Sequence, residues 1–251
     1  MHPRAERLPP SAPDLERLTA RSWRGLEEEP FGDWVLRAAG GFTGRANSVL
    51  VVGEPPLPLA AAVRAVAEWY ADRGLRPQAQ LSVPGAEAAD AAVGAAGWTR
   101  GEDVLVLTAR LGNWADPAVP VRLDDVPDAG WLAGYRYRGA ALPAVAGDVL
   151  THAEHPVFAS VRPDPGAAVP AAVARGVLVE DWLCVTAVTV DDGYRRRGLA
   201  TAVMAALGAW ARAGDASSCV LQVAASNAPA VALYERLGFT EHHRYHYRVA
   251  P

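Results

Sequence analysis

Residues 184–200, CVTAVTVDDGYRRRGLA, decide how the rest of this chain is read. Cys184, Val185, Ala187, Val188 and Val190 form a nearly continuous apolar run, the pattern of a strand covered on both faces. Asp191-Asp192-Gly193 signals a turn. From Leu199 the apolar residues Leu199, Ala202, Val203, Ala206, Leu207 and Trp210 recur at helical spacing, with Gly214 as the stop. A helix start leaves backbone N–H groups unsatisfied and carries partial positive charge. Gly198 and Ala200 keep bulky side chains away from those amides, and Arg195, Arg196 and Arg197 add formal charge at the same place. The unit therefore reads as an anion cradle suited to a phosphate or pyrophosphate. Three arginines alone would suggest only a solvated helix cap; the buried strand before them and the glycine spacing after them favour the cradle.

The surrounding chain narrows what that cradle serves. A net charge of −4 gives no general attraction to nucleic acid, so basic chemistry must be local. Lysine is absent and every formal positive side chain is an arginine, which with the many Ala, Pro and Gly residues suggests a GC-rich bacterial coding sequence. Cys184 and Cys219 sit in apolar runs and read as buried small hydrophobes, with no disulfide framework or metal site. No run of about 18 apolar residues exists, and MHPRAERLPPSAPD lacks a signal-peptide core, so a cytoplasmic protein without a membrane partner is expected. Residues 1–13 read as a loose tail.

In chain order, 14–29 reads as a helix ending in Glu27-Glu28-Glu29, followed by paired strands at 33–41 and 45–53. The bend between them, GGFTGR, opens no helix and so reads as a hairpin turn and not a phosphate loop. A helix at 59–73, a strand at 78–83, a helix at 86–96 and a strand at 103–110 complete the first half. Beyond Pro117 come helices at 126–137 and 142–152, strands at 157–163 and 171–182, the opening stretch, and a strand at 218–224. Asn227 then caps a helix that stops at Gly238, and a strand at 243–249 alternates Tyr245, Tyr247 and Val249 with Arg244, His246 and Arg248.

The halves repeat one another. Trp69 and Trp210, and likewise Gly97-Trp98 and Gly238-Phe239, are separated by the same interval, and the elements between them match in order. The reading is an α/β (α+β) chain of two tandem domains, 14–115 and 116–251, each a mixed twisted sheet flanked by helices. Where the second half has YRRRGLA the first has GEPPLPL, and prolines cannot present a fan of amides. The first copy therefore reads as degenerate, without an anion site.

These residues carry a family pattern. VTVDDGYRRRGLATAVMAALGAWA, followed by VLQVAASNAPAVALYERLGF, closely resembles the GNAT superfamily of acyl-CoA-dependent N-acyltransferases. The family signature Gln/Arg-x-x-Gly-x-Gly/Ala is matched by Arg195-Arg196-Arg197-Gly198-Leu199-Ala200, and a second, an asparagine before a short helix with tyrosine and Gly-Phe, by Asn227, Tyr234 and Gly238-Phe239. The resemblance covers about 118–251. The first half is similar only in outline, as in tandem members such as mycothiol synthase.

The resemblance implies acetyl-CoA as acyl-donor cosubstrate and no metal. Its pantetheine amides would bond the backbone of Val188, Thr189 and Val190, and its pyrophosphate would lie by Arg195 and take the amides of Arg196, Arg197, Gly198, Leu199, Ala200 and Thr201. Asn227 would face the pantetheine arm, and Tyr234 would sit near the sulfur and protonate the leaving thiolate as general acid. A core aromatic on a helix face is the plainer reading of Tyr234. Glu180 is the candidate general base, Asp181 a weaker one, against a plain surface hairpin turn. His152, His155, His242, His243 and His246 match no standard zinc spacing and read as a wet strand face.

The function so implied is an acetyl-CoA-dependent N-acetyltransferase acting on a primary amine of a small molecule or peptide by direct attack in a ternary complex. The alternative is a non-catalytic acyl-CoA sensor. A nucleic-acid partner fits poorly with the negative net charge. A monomer or a homodimer is expected, since a tandem mimics a dimer internally.

Overall fold

The computed structural model describes residues 10–112, 114–137, 139–163 and 166–251. The first half supplies α1 (Ala12–Ser22), β1 (Glu27–Phe31), β2 (Trp34–Ala38), β3 (Val49–Val51), α2 (Leu59–Ala71), β4 (Gln78–Val83), α3 (Glu87–Ala95) and β5 (Thr99–Arg110). The second supplies β6 (Arg122–Asp124), α4 (Ala129–Gly134), α5 (Ala146–Thr151), β7 (Pro156–Val161), β8 (Ala172–Val179), β9 (Trp182–Val190), α6 (Leu199–Ala213), β10 (Ser218–Ala224), α7 (Ala228–Arg236) and β11 (Thr240–Val249). Gly97 and Gly238, just past α3 and α7, both take left-handed φ, 84° and 86°, as helix-ending glycines do.

All these strands join one mixed sheet in the order β1-β2-β3-β4-β11-β5-β10-β9-β8-β7-β6. Its centre is an exchange. β5 is antiparallel to both β10 and β11, and β11 is antiparallel to both β4 and β5, so each half's last strand sits inside the other's sheet. Side chains alternate between the faces. On β10, Cys219, Leu221 and Val223 pack with α6 and α7, whereas Val220 meets α1. Leu183 and Leu207 are fully buried between sheet and α6, where truncation to alanine costs about 2–5 kcal/mol. The helices α2 and α3 cover Leu36, Val51 and Leu81, and α4 and α5 cover Phe158 and Val173 together with Trp23 and Phe42 of the first half.

Several boundaries differ from the sequence expectation. Up to residue 9 the expected tail lies outside the described residues; Ala12 and Pro13, read as part of that tail, belong to α1, whose N-cap Ser11 accepts from the Asp14 amide. The helix expected to reach residue 29 stops at Ser22. Glu27, Glu28 and Glu29 lie instead on the edge strand β1, where Glu27 and Glu28 meet Arg73 and Arg24 and Glu29 accepts from the Trp69 indole. The helix expected at 126–137 shrinks to Ala129–Gly134 because Asp128 caps the Trp131 amide at 2.7 Å. That at 142–152 shrinks to Ala146–Thr151.

The wet strand face expected for the histidines is also corrected. His243 and His246 are buried, each against a carboxylate from a covering helix: Glu16 of α1 and Asp90 of α3, at 2.8 and 2.7 Å. His243 keeps the phase of Tyr245 and Tyr247, which α1 covers, whereas His246 keeps the opposite phase with Arg248, which α3 covers, so both faces of the strand are buried here. Gln80 extends the network by donating to Glu16 and accepting from the buried Arg37. The tautomers follow from the partners. His242 Nε2 faces the Pro10 carbonyl at 2.9 Å and must donate; a neutral His242 then accepts at Nδ1 from His243 Nδ1–H, 2.8 Å away.

Burial holds the His242 pKa below its usual 6.5. A histidine so depressed binds fewer protons folded than unfolded, so its contribution to stability is present above the ordinary imidazole pKa and lost as pH falls below it. Thermal melts between about pH 7.5 and about pH 5 should show a loss of Tm on acidification that His242→Asn, which keeps an acceptor but does not titrate, reduces. From the strand exchange, halves divided at residue 115 and expressed separately should fold only when mixed, by far-UV circular dichroism. Independent cooperative melting of either half alone would contradict it.

Candidate active site

The pairing of β9 with β10 is parallel and brief. It runs from Trp182↔Ser218 to Val185↔Leu221 and stops, so from Thr186 and Gln222 onward the two strands diverge. On its other edge β9 stays paired with β8 as far as Val190. Ala187 sits in a bulge at the fork with left-handed backbone, φ 56°, which costs a non-glycine residue of order 1–3 kcal/mol. Asp191 donates to Ala171 toward β8, so by strand alternation the polar groups of Thr189 turn to β8 and those of Val188 and Val190 turn into the fork.

The end of β9 feeds the arginine turn. Asp191 caps a single 3-10 turn, Asp192–Tyr194, and Gly198 is the N-cap of α6 at φ 77° with no side chain to compete for the helix amides. Arg196 is also left-handed, φ 60°, so amides on either side converge. The first inward bond of α6 is Ala202 N–H to Gly198 O; among the described residues the amides of Arg196, Arg197, Gly198, Leu199, Ala200 and Thr201 find no acceptor. Arg195 pairs with Asp192, and Arg197 lies 5.1 Å over the Tyr194 ring, so both side chains remain at the mouth of the turn. A cleft of about 560 Å³ opens alongside, between Gly198, Thr201 and Ala205 on α6 and Arg236 and Leu237 at the end of α7. Free amides, glycine and arginine together fit the pyrophosphate end of a CoA thioester.

Asn227 caps α7, its Oδ1 accepting from the Ala230 amide at 3.3 Å, and is otherwise exposed beyond the end of β10. Tyr234 lies on the inner side of α7, edge-on to Phe239 at 5.7 Å and packed with Leu221 and Val185. Burial, with Cys219 nearby, pushes its phenol well above the usual value, so the hydroxyl stays protonated at neutral pH. The cradle, the fork and the Tyr234 helix thus share one end of the sheet.

Glu180 does not join them. It lies in the β8–β9 turn at the opposite end of β9, exposed, with its carboxylate 2.8 Å from Arg21 of α1. Asp181 is beside it and accepts from the Ser217 hydroxyl. Both line a larger cavity of about 920 Å³ under α1, so cavity size alone does not locate the cradle. In the first half the corresponding loop is closed from within: Asp33 accepts the Glu54 amide at 3.0 Å and fills the space at Gly53. Pro55, Pro56 and Pro58 offer no N–H.

Sequence reasoning passed over Arg45, Arg175 and Gln222, which surround the fork on the α1 side. No local pattern marks them, since their meeting depends on the sheet. Among the described residues no group of three or more metal-binding side chains is present.

A family model described as probable histone acetyltransferase Rv0428c C-terminal matches residues 12–248. Among similar proteins are the uncharacterized N-acetyltransferase YobR of Bacillus subtilis, 24% identical over 94% of this chain and 97% of that one, and the probable histone acetyltransferase Rv0428c of Mycobacterium tuberculosis, 29% identical over 93% and 72%. Similar solved structures include a GCN5-related N-acetyltransferase from Kribbella flavida, TM-score 0.67 at 18% identity over 96% and 95% of the chains. Another is a tandem GNAT protein from the clavulanic acid biosynthesis pathway, TM-score 0.56 at 14% identity over 81% and 74%.

Proposed function

This chain belongs to the GNAT N-acetyltransferases, in the family of the Rv0428c C-terminal region, and we propose that it moves an acetyl group from acetyl-CoA to a primary amine by direct attack. The observation carrying this reading is the meeting, at one end of β9, of a forked sheet edge with a run of unbonded amides from Arg196 to Thr201. Acetyl-CoA supplies an activated acyl group. In our reading the amides of Arg196, Arg197, Gly198, Leu199, Ala200 and Thr201 hold its pyrophosphate, with Arg195 at the rim, and α6 adds its partial positive charge. Val188 and Val190 hold the pantetheine amides from the fork, Thr189 keeps that strand bound to β8, and Asn227 lines the arm. An amide beside the Ala187 bulge donates to the oxygen on which charge develops. Tyr234 gives its proton to the departing sulfur, a role its raised pKa permits by keeping it protonated.

Glu180, tied to Arg21 at the far end of β9, is not used in this scheme; water takes the proton from the acceptor's ammonium, and the neutral amine then attacks the acyl carbon. The relative named as a probable histone acetyltransferase suggests a lysine side chain as one acceptor class to try. Only the half 116–251 holds the cosubstrate in this scheme, and the first half walls the acceptor side through Phe42 and Trp23.

Titration calorimetry should show acetyl-CoA binding that Gly198→Glu abolishes, because a carboxylate would then occupy the amide cradle. Tyr234→Phe should lower kcat by about 10²- to 10⁴-fold while leaving the KM for acetyl-CoA nearly unchanged. Binding without thiol release toward any amine would instead mark a sensor.

A further inference from the structure

At the fork, the first unpaired residue on each arm is held by an arginine. Arg175 of β8 donates from Nη1 to Thr186 Oγ1 at 3.4 Å, and Arg45, in the loop before β3, donates from Nη1 to Gln222 Oε1 at 2.9 Å. Both guanidinium carbons lie over the same ring, that of Trp23, at 5.3 and 4.8 Å from its centroid. They stand on the α1 side of the sheet, whereas α6 and Tyr234 pack on the other.

Two like charges stacked on one ring call for a counter-ion, and the described residues supply none. Neither arginine takes part in an ion pair among the described residues. Arg175 is fully buried and gives Nε to Leu150 O and Nη1 to Ser22 O, but its Nη2 has no partner. Burial first, then repulsion from Arg45, pulls its pKa down to about 9. An ordered water would satisfy the orphaned N–H without compensating either charge. An anion does both, and a guanidinium takes a carboxylate or phosphate through paired N–H donors. Arg45 is only half-buried whereas Arg175 is fully buried, so an anion would reach the pair from the Arg45 side.

We propose that Arg45 and Arg175 form an anion subsite for the acceptor, so that the amine receiving the acetyl group also carries an acidic group. This rests on the acetyl-transfer reading above. The acid docks between Thr186 and Gln222, and the amine, a few bonds away, meets the acyl carbon at the Ala187 bulge. A cationic lysine-rich acceptor is opposed by the same pair of charges.

The test uses the full chain with acetyl-CoA and matched acceptors: glycine, β-alanine and L-glutamate against their carboxamides, phosphoethanolamine against ethanolamine, and a lysine peptide. Glutarate, inorganic phosphate and glutaramide serve as probes without an amine in thermal melts. The acids should exceed their neutral partners by about tenfold or more in kcat/KM, and only the anions should raise Tm. Arg45→Gln should erase both preferences and Arg45→Lys restore part. Glutarate against phosphate tells which acid fits. If the amines are not turned over, the melts decide alone. Neutral acceptors or the lysine peptide used as well as the acids, anions without effect on Tm, or a preference surviving in Arg45→Gln would each overturn the subsite. Wild-type protein that fails to bind acetyl-CoA in calorimetry would overturn the acetyl-transfer reading as well, which separates the two failures.

Discussion

The pairing of β5 with β11 is the constraint on which the rest of the molecule hangs. These two antiparallel strands lie at the centre of the sheet, and each is also the neighbour of a strand from the other half. Because β10 is pinned on one side by β5, it can leave β9 on the other after Leu221 without fraying. The fork is therefore made rigid by a strand from the other half of the chain. The networks above and below the sheet serve the same join, with Glu16 of α1 meeting His243 and Asp90 of α3 meeting His246 and Arg248 on β11.

The two halves show how little chemistry separates a ligand site from a structural loop. In one, Gly198 and a left-handed Arg196 leave a run of amides facing outward. In the other, prolines remove the donors and Asp33 takes the Glu54 amide for the protein itself. An internal carboxylate thus stands where the other half offers room for a phosphate. The same preference of such a loop for negative charge is met by the fold itself in the first half and left open in the second.

What the sequence disclosed follows from how local each feature is. The strand–turn–helix at 184–200 was legible because apolar run, turn residues and glycine spacing all lie within a few turns of chain, and β9, the 3-10 turn and α6 appear where they were read. The repeat was read from a constant interval, and at its two ends Gly97 and Gly238 take the same left-handed backbone. Helix ends at 22 and 134 were not, because capping by Asp128 and capture of the three glutamates by an edge strand depend on neighbours. The histidines were misread for a similar reason: helices distant in sequence, α1 and α3, cover the two faces of β11 and bring a carboxylate to each ring. Arg45 and Arg175, 130 positions apart, meet only because the first half folds over the second.

The place of β11 also has a bearing on how the protein is made. Chains emerge from the ribosome in order, and domains ordinarily fold as they emerge. Here the strand that completes the first half's sheet, β11 (Thr240–Val249), is translated after every other strand of that sheet. Through most of synthesis the edges of β4 and β5 wait without their shared partner, exposing hydrogen-bonding groups that another chain could capture. The acidic Glu102 and Asp103 on β5 give that waiting edge some charge with which to resist such capture.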